Sequence, residues 1–152
     1  MRLRFKLLIF ILISIWYTGI FFECLTKLYP KSIIILPFIK KTYSLVCHQK
    51  SGKLIELNCG HSLVCSRCAG IYSGILLSSI VSLVVKKILH TNLKFLFISI
   101  IPIIIDILFV SLNIYSYSKT LAFFTGFLFG SVLFLYFYKS LINLFNEIQL
   151  DK

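Results

Sequence analysis

The chain has 152 residues, 59% of them hydrophobic, and a mean hydropathy of +0.95. A soluble fold of this length could not hide so much apolar surface, so composition points to an integral membrane protein with a single domain spanning residues 1–152. The net charge of +11 does not mark a nucleic-acid binder, because the cations sit in short groups at the ends of apolar runs and form no basic stripe on a soluble module.

About 20 apolar residues are needed per transmembrane helix, and four spans meet or approach that length, at about 7–22, 69–85, 93–112 and 120–138. The expected fold is therefore an all-α membrane protein, a four-transmembrane-helix bundle with a Cys/His-rich loop, residues 23–68, between helices 1 and 2. The first span opens on Arg2, Arg4 and Lys6. It ends on Phe21-Phe22-Glu23-Cys24, a poor cleavage site, and so reads as an uncleaved anchor. Within the loop, Ser32 to Ile39 is apolar but too short to cross, and suits the membrane interface. Cys24 stands alone at a span end and reads as a small hydrophobe.

The loop then concentrates four of the five cysteines and two of the three histidines between Cys47 and Cys68. They run Cys47-His48-Gln49, Cys59-Gly60-His61 and Cys65-Ser66-Arg67-Cys68. The C-x-x-C spacing lets one turn offer two sulfurs to one ion, and zinc commonly takes about four Cys or His ligands. The leading assignment is a zinc site formed by Cys47, His48, Cys65 and Cys68, with Cys59 and His61 as substitutes or outer partners. Zinc stands ahead of copper or iron because the ligands are mixed and borderline-soft.

The same residues suit a membrane thiol-disulfide oxidoreductase, with Cys65 and Cys68 as the reactive pair and Cys47 and Cys59 as a relay. Cys68 would sit at a helix N-terminus beside Arg67, where a thiolate is favoured. A purely structural metal or disulfide staple is the third reading. No serine-hydrolase, P-loop or dinucleotide signature is present, and one intramembrane acid offers no carboxylate pair for glycosidase chemistry.

The remaining spans carry packing signals. Gly70, Gly74, Ser78 and Ser82 recur every fourth residue in span two, and Ala122, Gly126 and Gly130 do so in span four. Such small-xxx-small stripes let helix backbones meet where lipid gives no hydrophobic drive. Span three holds Pro102 and Asp106. An acid in an apolar helix needs a partner, and counting spans brings Arg67 and Lys119 to its leaflet. His90 falls in a short turn with Lys86 and Lys87 and reads as solvated. The tail from Lys139 suits a short interfacial helix. Basic residues divide evenly between the two sides. The basic N-terminus and the Lys86-Lys87 turn favour both termini in the cytoplasm, in a prokaryotic cytoplasmic membrane. The bilayer is the expected partner; a homo-oligomer or a partner membrane protein is left open.

Cys47-His48-Gln49 followed by Cys65-x-Arg67-Cys68-x-Gly70-Ile71-Tyr72-x-Gly74 resembles the signature of a domain of unknown function in small prokaryotic membrane proteins. The resemblance runs from Cys47 to Gly130, through Pro102, Asp106 and Thr125-Gly126. It implies an integral membrane protein with a shared Cys/His site, and no activity. The chain departs from that pattern at Ile107, where Gly is usual, and at Lys119, where Arg is. At the level of architecture alone, a four-span bundle with loop and helix-end cysteines is also similar to quinone-linked thiol reductases of the vitamin K epoxide reductase type, whose C-x-x-C lies in a late helix.

Overall fold

The computed structural model of the protein describes residues 3–84 and 93–150. The Lys86-Lys87 turn, His90 and the last residue of the expected second span, Val85, lie outside the described residues. In chain order the helices are α1 (Leu3–Gly19), α2 (Phe22–Leu28), α3 (Leu36–Ser44), α4 (Ser66–Val84), α5 (Leu93–Ser111) and α6 (Lys119–Leu150). Two short strands, β1 (Leu54–Leu57) and β2 (Gly60–Cys65), separate α3 from α4.

Among the described residues, three helical segments are long and apolar enough to cross a membrane: Ser66–Val84, Leu93–Ser111 and Lys119–Ile142. Their sequences are rich in Ile, Leu and Phe, which alone would also suit strands. In hydrocarbon, however, a lone segment satisfies its backbone only as a helix. The fourth expected span, α1, is apolar but has 17 residues, about 25 Å at 1.5 Å per residue, somewhat short of a hydrocarbon core of about 30 Å. The tail is not a separate interfacial helix, because α6 runs unbroken to Leu150; no Pro or Gly interrupts it beyond Gly130.

The closest helix pair is α4 with α6. A Cβ placed on Gly70 would strike the Phe123 carbonyl oxygen, one on Gly74 that of Phe127, one on Gly126 that of Arg67, and one on Gly130 that of Ile71. The two small-residue stripes therefore interlock, each glycine receiving a backbone carbonyl of the facing helix. Ala122, Ser78 and Ser82 are buried beside them, and the Ser78 hydroxyl donates to the Ser131 carbonyl at 3.3 Å.

The other helices flank this pair. α1 lies on α4 and runs antiparallel to it: the Lys6 ammonium, near one end, donates to the Ser82 carbonyl, and the Ser73 hydroxyl donates to the Tyr17 hydroxyl near the other. α5 packs on α6. Most of its large side chains, among them Phe97, Ile101, Ile104 and Leu108, face away from the protein, as a lipid-facing helix requires.

The expected loop is a small folded lobe, and it corrects the all-α expectation. β1 and β2 form an antiparallel hairpin pairing Leu57 with Gly60 and Leu54 with Cys65. Leu54, Ile55, Leu63 and Val64 supply the apolar, partly β-branched character that a strand needs. A disulfide joins Cys24 of α2 to Cys59 at the hairpin turn, with Cα atoms 4.9 Å apart. Cys24 is thus no isolated hydrophobe; α2 folds back after Gly19 and brings it to the turn. Beside it, the Glu23 carboxylate accepts the His61 backbone N–H at 2.7 Å and pairs with Lys40 at 2.5 Å. Burial would raise the Glu23 pKa, but the Lys40 and His61 hydrogen bonds prevail and hold it below the usual carboxylate range. The lobe's core is Ile20, Tyr43, Cys47, Leu63, Val64 and Ala69. It is continuous with α1 through Trp16, whose carbonyl accepts the Tyr43 hydroxyl at 2.5 Å.

The interlocked seam gives a direct expectation. Gly74→Leu and Gly126→Leu each place a side chain where a backbone carbonyl sits, which no rotamer change can relieve. Both should abolish the cooperative thermal transition in detergent or lower it by more than about 10 °C, since overpacking alone costs about 1–3 kcal/mol where neighbours can yield. Leu83→Ala, off the stripe, should shift it by a few degrees. Equal midpoints for all three would show that the stripes do not bear the contact.

Candidate metal centre

The junction of β2 with α4 builds the site. Cys65 is the last residue of the strand and Ser66 the first of the helix. The chain passes from extended to helical in one step, which puts Cys68, in the first turn, beside Cys65. The third cysteine comes from the other direction. After α3 the backbone makes one more turn, with the Cys47 N–H on the Tyr43 carbonyl at 3.0 Å. The Cys47 sulfur then accepts the Cys65 N–H at 3.2 Å. The sulfurs of Cys47, Cys65 and Cys68 all lie within 4.8 Å of one another.

Gln49 locks this approach. Its amide nitrogen donates to the Leu63 carbonyl at 2.8 Å and to the Lys40 carbonyl at 3.2 Å, tying the Cys47 segment to β2 and α3. Its backbone is left-handed, φ 47°, a conformation uncommon for a residue with a Cβ. In the sequence, the only mark of this role is the place of Gln49 directly after Cys47-His48.

The two sides of the cluster differ. Behind it stand aromatic rings: Trp16 lies 4.9 Å from Tyr43 and 6.2 Å from Tyr72, centroid to centroid, and burial pushes the Tyr43 phenol up to about 12. In front lies an open cavity of about 320 Å³, lined by the three cysteines with His48, Gln49, Lys50, Lys53 and Arg67. The Cys47 thiol is held far below its ordinary pKa, first by hydrogen bonds from the Cys65 and Cys68 side chains, with the Cys65 and Gln49 N–H groups adding to them. A thiolate is the form that binds metals and attacks disulfides.

Of the four residues assigned to the metal from sequence, the structure brings three sulfurs together. The fourth, His48, is exposed and lies on the wall of the same cavity. The two reserve candidates go elsewhere. Cys59 is bonded to Cys24, and His61 is exposed on the hairpin. The structure thus pairs Cys59 with Cys24 and not with Cys47.

Arg67 connects the cluster to the bundle. It lines the cavity, and its guanidinium donates to Asp106 of α5. Asp106 is 6% exposed, and its other oxygen accepts the Tyr115 hydroxyl. That hydrogen bond raises the Tyr115 pKa. Lys119, the alternative cation, pairs instead with Glu56 at 2.7 Å on the surface. Tyr115 was missed in the sequence; it lies between spans with no pattern to single it out.

These features define a helical membrane protein carrying a three-cysteine cluster at the start of a membrane-spanning helix. Residues 47–136 match the family described as "Predicted membrane protein (DUF2085)", and the chain belongs to that family. The matched region begins at Cys47 and takes in Cys65, Cys68 and Asp106. Among curated proteins, the chain is similar to an uncharacterized protein of Methanocaldococcus jannaschii, 29% identical over 141 residues that cover 88% of this chain and 90% of the relative. No solved structure matches.

Removing the buried acid should be costly. Asp106→Asn leaves the Arg67 guanidinium without its counter-charge, a loss of about 3–5 kcal/mol for a buried pair. Lys119→Ala breaks an exposed pair worth about 0–1 kcal/mol. Chemical unfolding in detergent should separate the two variants clearly; comparable stabilities would mean that the Arg67–Asp106 contact does not hold α5 in place.

Proposed function

We propose that the protein is an integral membrane metal-site protein that binds one zinc ion per chain through Cys47, Cys65 and Cys68, with His48 as the fourth ligand. The observation that carries this reading is the convergence of three sulfurs from two separate chain segments within 4.8 Å of one another. Three thiolates crowded together repel one another, and a divalent cation among them removes that cost. His48 lines the same cavity and supplies an imidazole beside the three sulfurs' pocket.

The same reading places the site in a four-span bundle. α1 runs antiparallel along α4 over most of its length, and its Lys6 can extend toward the interface, which offsets the short apolar run. With four spans, both termini share the cytoplasmic side and the cysteine lobe faces outward, in a prokaryotic cytoplasmic membrane. The Cys24–Cys59 disulfide supports that orientation, because such bonds persist in oxidising compartments. On this topology a Gly52→Cys variant, at an exposed lobe position where a side chain meets nothing within 4 Å, gains reactivity over the wild type toward a membrane-impermeant maleimide in intact cells. Reaction only after permeabilisation would reverse the orientation.

A thiol-disulfide oxidoreductase is the second reading, and the lowered pKa of Cys47 favours it. Metal analysis with thiol counting separates the two. The metal reading expects about one zinc per purified chain, three free thiols after metal removal and five after reduction. It also expects loss of the zinc in the Cys65→Ser, Cys68→Ser double variant. Native protein without zinc, in which two cluster cysteines are already disulfide-bonded, would overturn it and support the redox reading.

A further inference from the structure

We propose that the fourth metal position is exchangeable, and that the cavity in front of the cysteines admits a small anion carrying a metal-binding donor, which displaces His48. The proposal rests on the metal reading above.

Three features of the cavity support it. The first is its size: about 320 Å³ is far more than one ion fills and falls at the lower end of small-ligand pockets. The second is the unequal hold on the ligands. Cys47 is in the buried core, and Cys65 and Cys68 pack against that core. His48, by contrast, is exposed on the rim, so it is the ligand whose departure costs least.

The third is charge. Lys50, Lys53 and Arg67 line the wall, and no acid does. The acids nearest in the lobe and bundle are spent elsewhere: Glu23 on Lys40, Glu56 on Lys119, Asp106 on Arg67. Neither Lys50 nor Lys53 is in an ion pair among the described residues; the Lys53 ammonium sits over the Tyr117 ring, 4.9 Å from its centroid. Arg67 also keeps a buried Nε–H with no hydrogen-bond partner. A zinc ion with three thiolates carries one negative charge, which Lys50 and Lys53 together more than balance, Arg67 being already paired with Asp106. The excess favours one further anion beside the metal.

The ligand class follows from both halves of the site. A soft or borderline donor suits the metal, and a negatively charged group suits the lysines and Arg67. A low-molecular-weight thiol bearing a carboxylate combines the two. Binding exchanges one ligand for another: the incoming thiol binds as thiolate, its proton passing to solvent, and His48 leaves as neutral imidazole; no electron moves.

The test uses full-length protein in detergent, loaded with cobalt in place of zinc and titrated with mercaptoacetate, mercaptoethanol or acetate while its visible bands are recorded. Mercaptoacetate is expected to shift the bands at about a tenfold lower concentration than mercaptoethanol, with the advantage fading at high salt. Acetate should act weakly. Lys50→Ala combined with Lys53→Ala should erase the difference between the two thiols while the bands of the unliganded protein persist. His48→Ala should strengthen binding of mercaptoacetate. Equal potency of the two thiols in wild-type protein, unchanged bands at saturating mercaptoacetate, or loss of cobalt to it would each overturn the proposal. Absence of thiolate–cobalt bands before any addition would instead overturn the metal reading itself.

Discussion

The backbone contact between α4 and α6 is the constraint on which the rest depends. Helices in lipid gain nothing from hiding apolar side chains from one another, so close approach must come from shape. Here four glycines set carbonyls of each helix against the Cα atoms of the other. The seam begins at the level of Arg67, whose carbonyl faces Gly126. The first turn of α4, with Cys68 and Arg67, is thereby fixed to α6, and through α6 to α5. A site at the end of an isolated helix would fray; this one begins where the tightest packing begins.

Arg67 carries that rigidity sideways. Asp106 lies in a helix whose other large side chains mostly face lipid, and a lone carboxylate there would be strongly disfavoured. Pairing with Arg67 and Tyr115 satisfies it and draws α5 to the base of α4. On the opposite side, Trp16 of α1 joins the lobe's core to the bundle. The cluster thus rests on packed aromatic rings while its other side opens to a cationic cavity. That asymmetry is what gives the site a chemical direction.

Much of this was legible in the sequence, and the residues show why. Glycine periodicity in spans two and four required no tertiary knowledge, because small residues at every fourth position have few other uses in a lipid-facing helix. Asp106 needed a cation in the same leaflet, and counting spans supplied two, Arg67 and Lys119, between which only the folded structure chooses. The C-x-x-C spacing located two sulfurs. The failures lie where pairing is long-range. Cys24 and Cys59 are 35 residues apart, and the fold of the lobe, not local spacing, decides that they meet. Once they do, Cys59 is a partner of Cys24 and no longer a candidate metal ligand. The hairpin was hidden because β1 and β2 are four and six residues long, too short for an alternating pattern to stand out amid cysteines and histidines. Gln49 and Tyr115 act through single hydrogen bonds at turns, and no periodicity marks them.

The central claim is that three thiolates, from Cys47, Cys65 and Cys68, hold a metal whose remaining ligand is not sulfur. X-ray absorption at the zinc edge of the purified protein in detergent measures that shell directly. The account expects about three sulfurs at about 2.3 Å and one nitrogen or oxygen at about 2.0–2.1 Å. In protein freed of small thiols, a shell of four sulfurs would contradict it, since the fourth would then have to come from breaking the Cys24–Cys59 bond or from a second chain. A shell of oxygen and nitrogen alone would contradict it outright, by removing the cysteines from the metal.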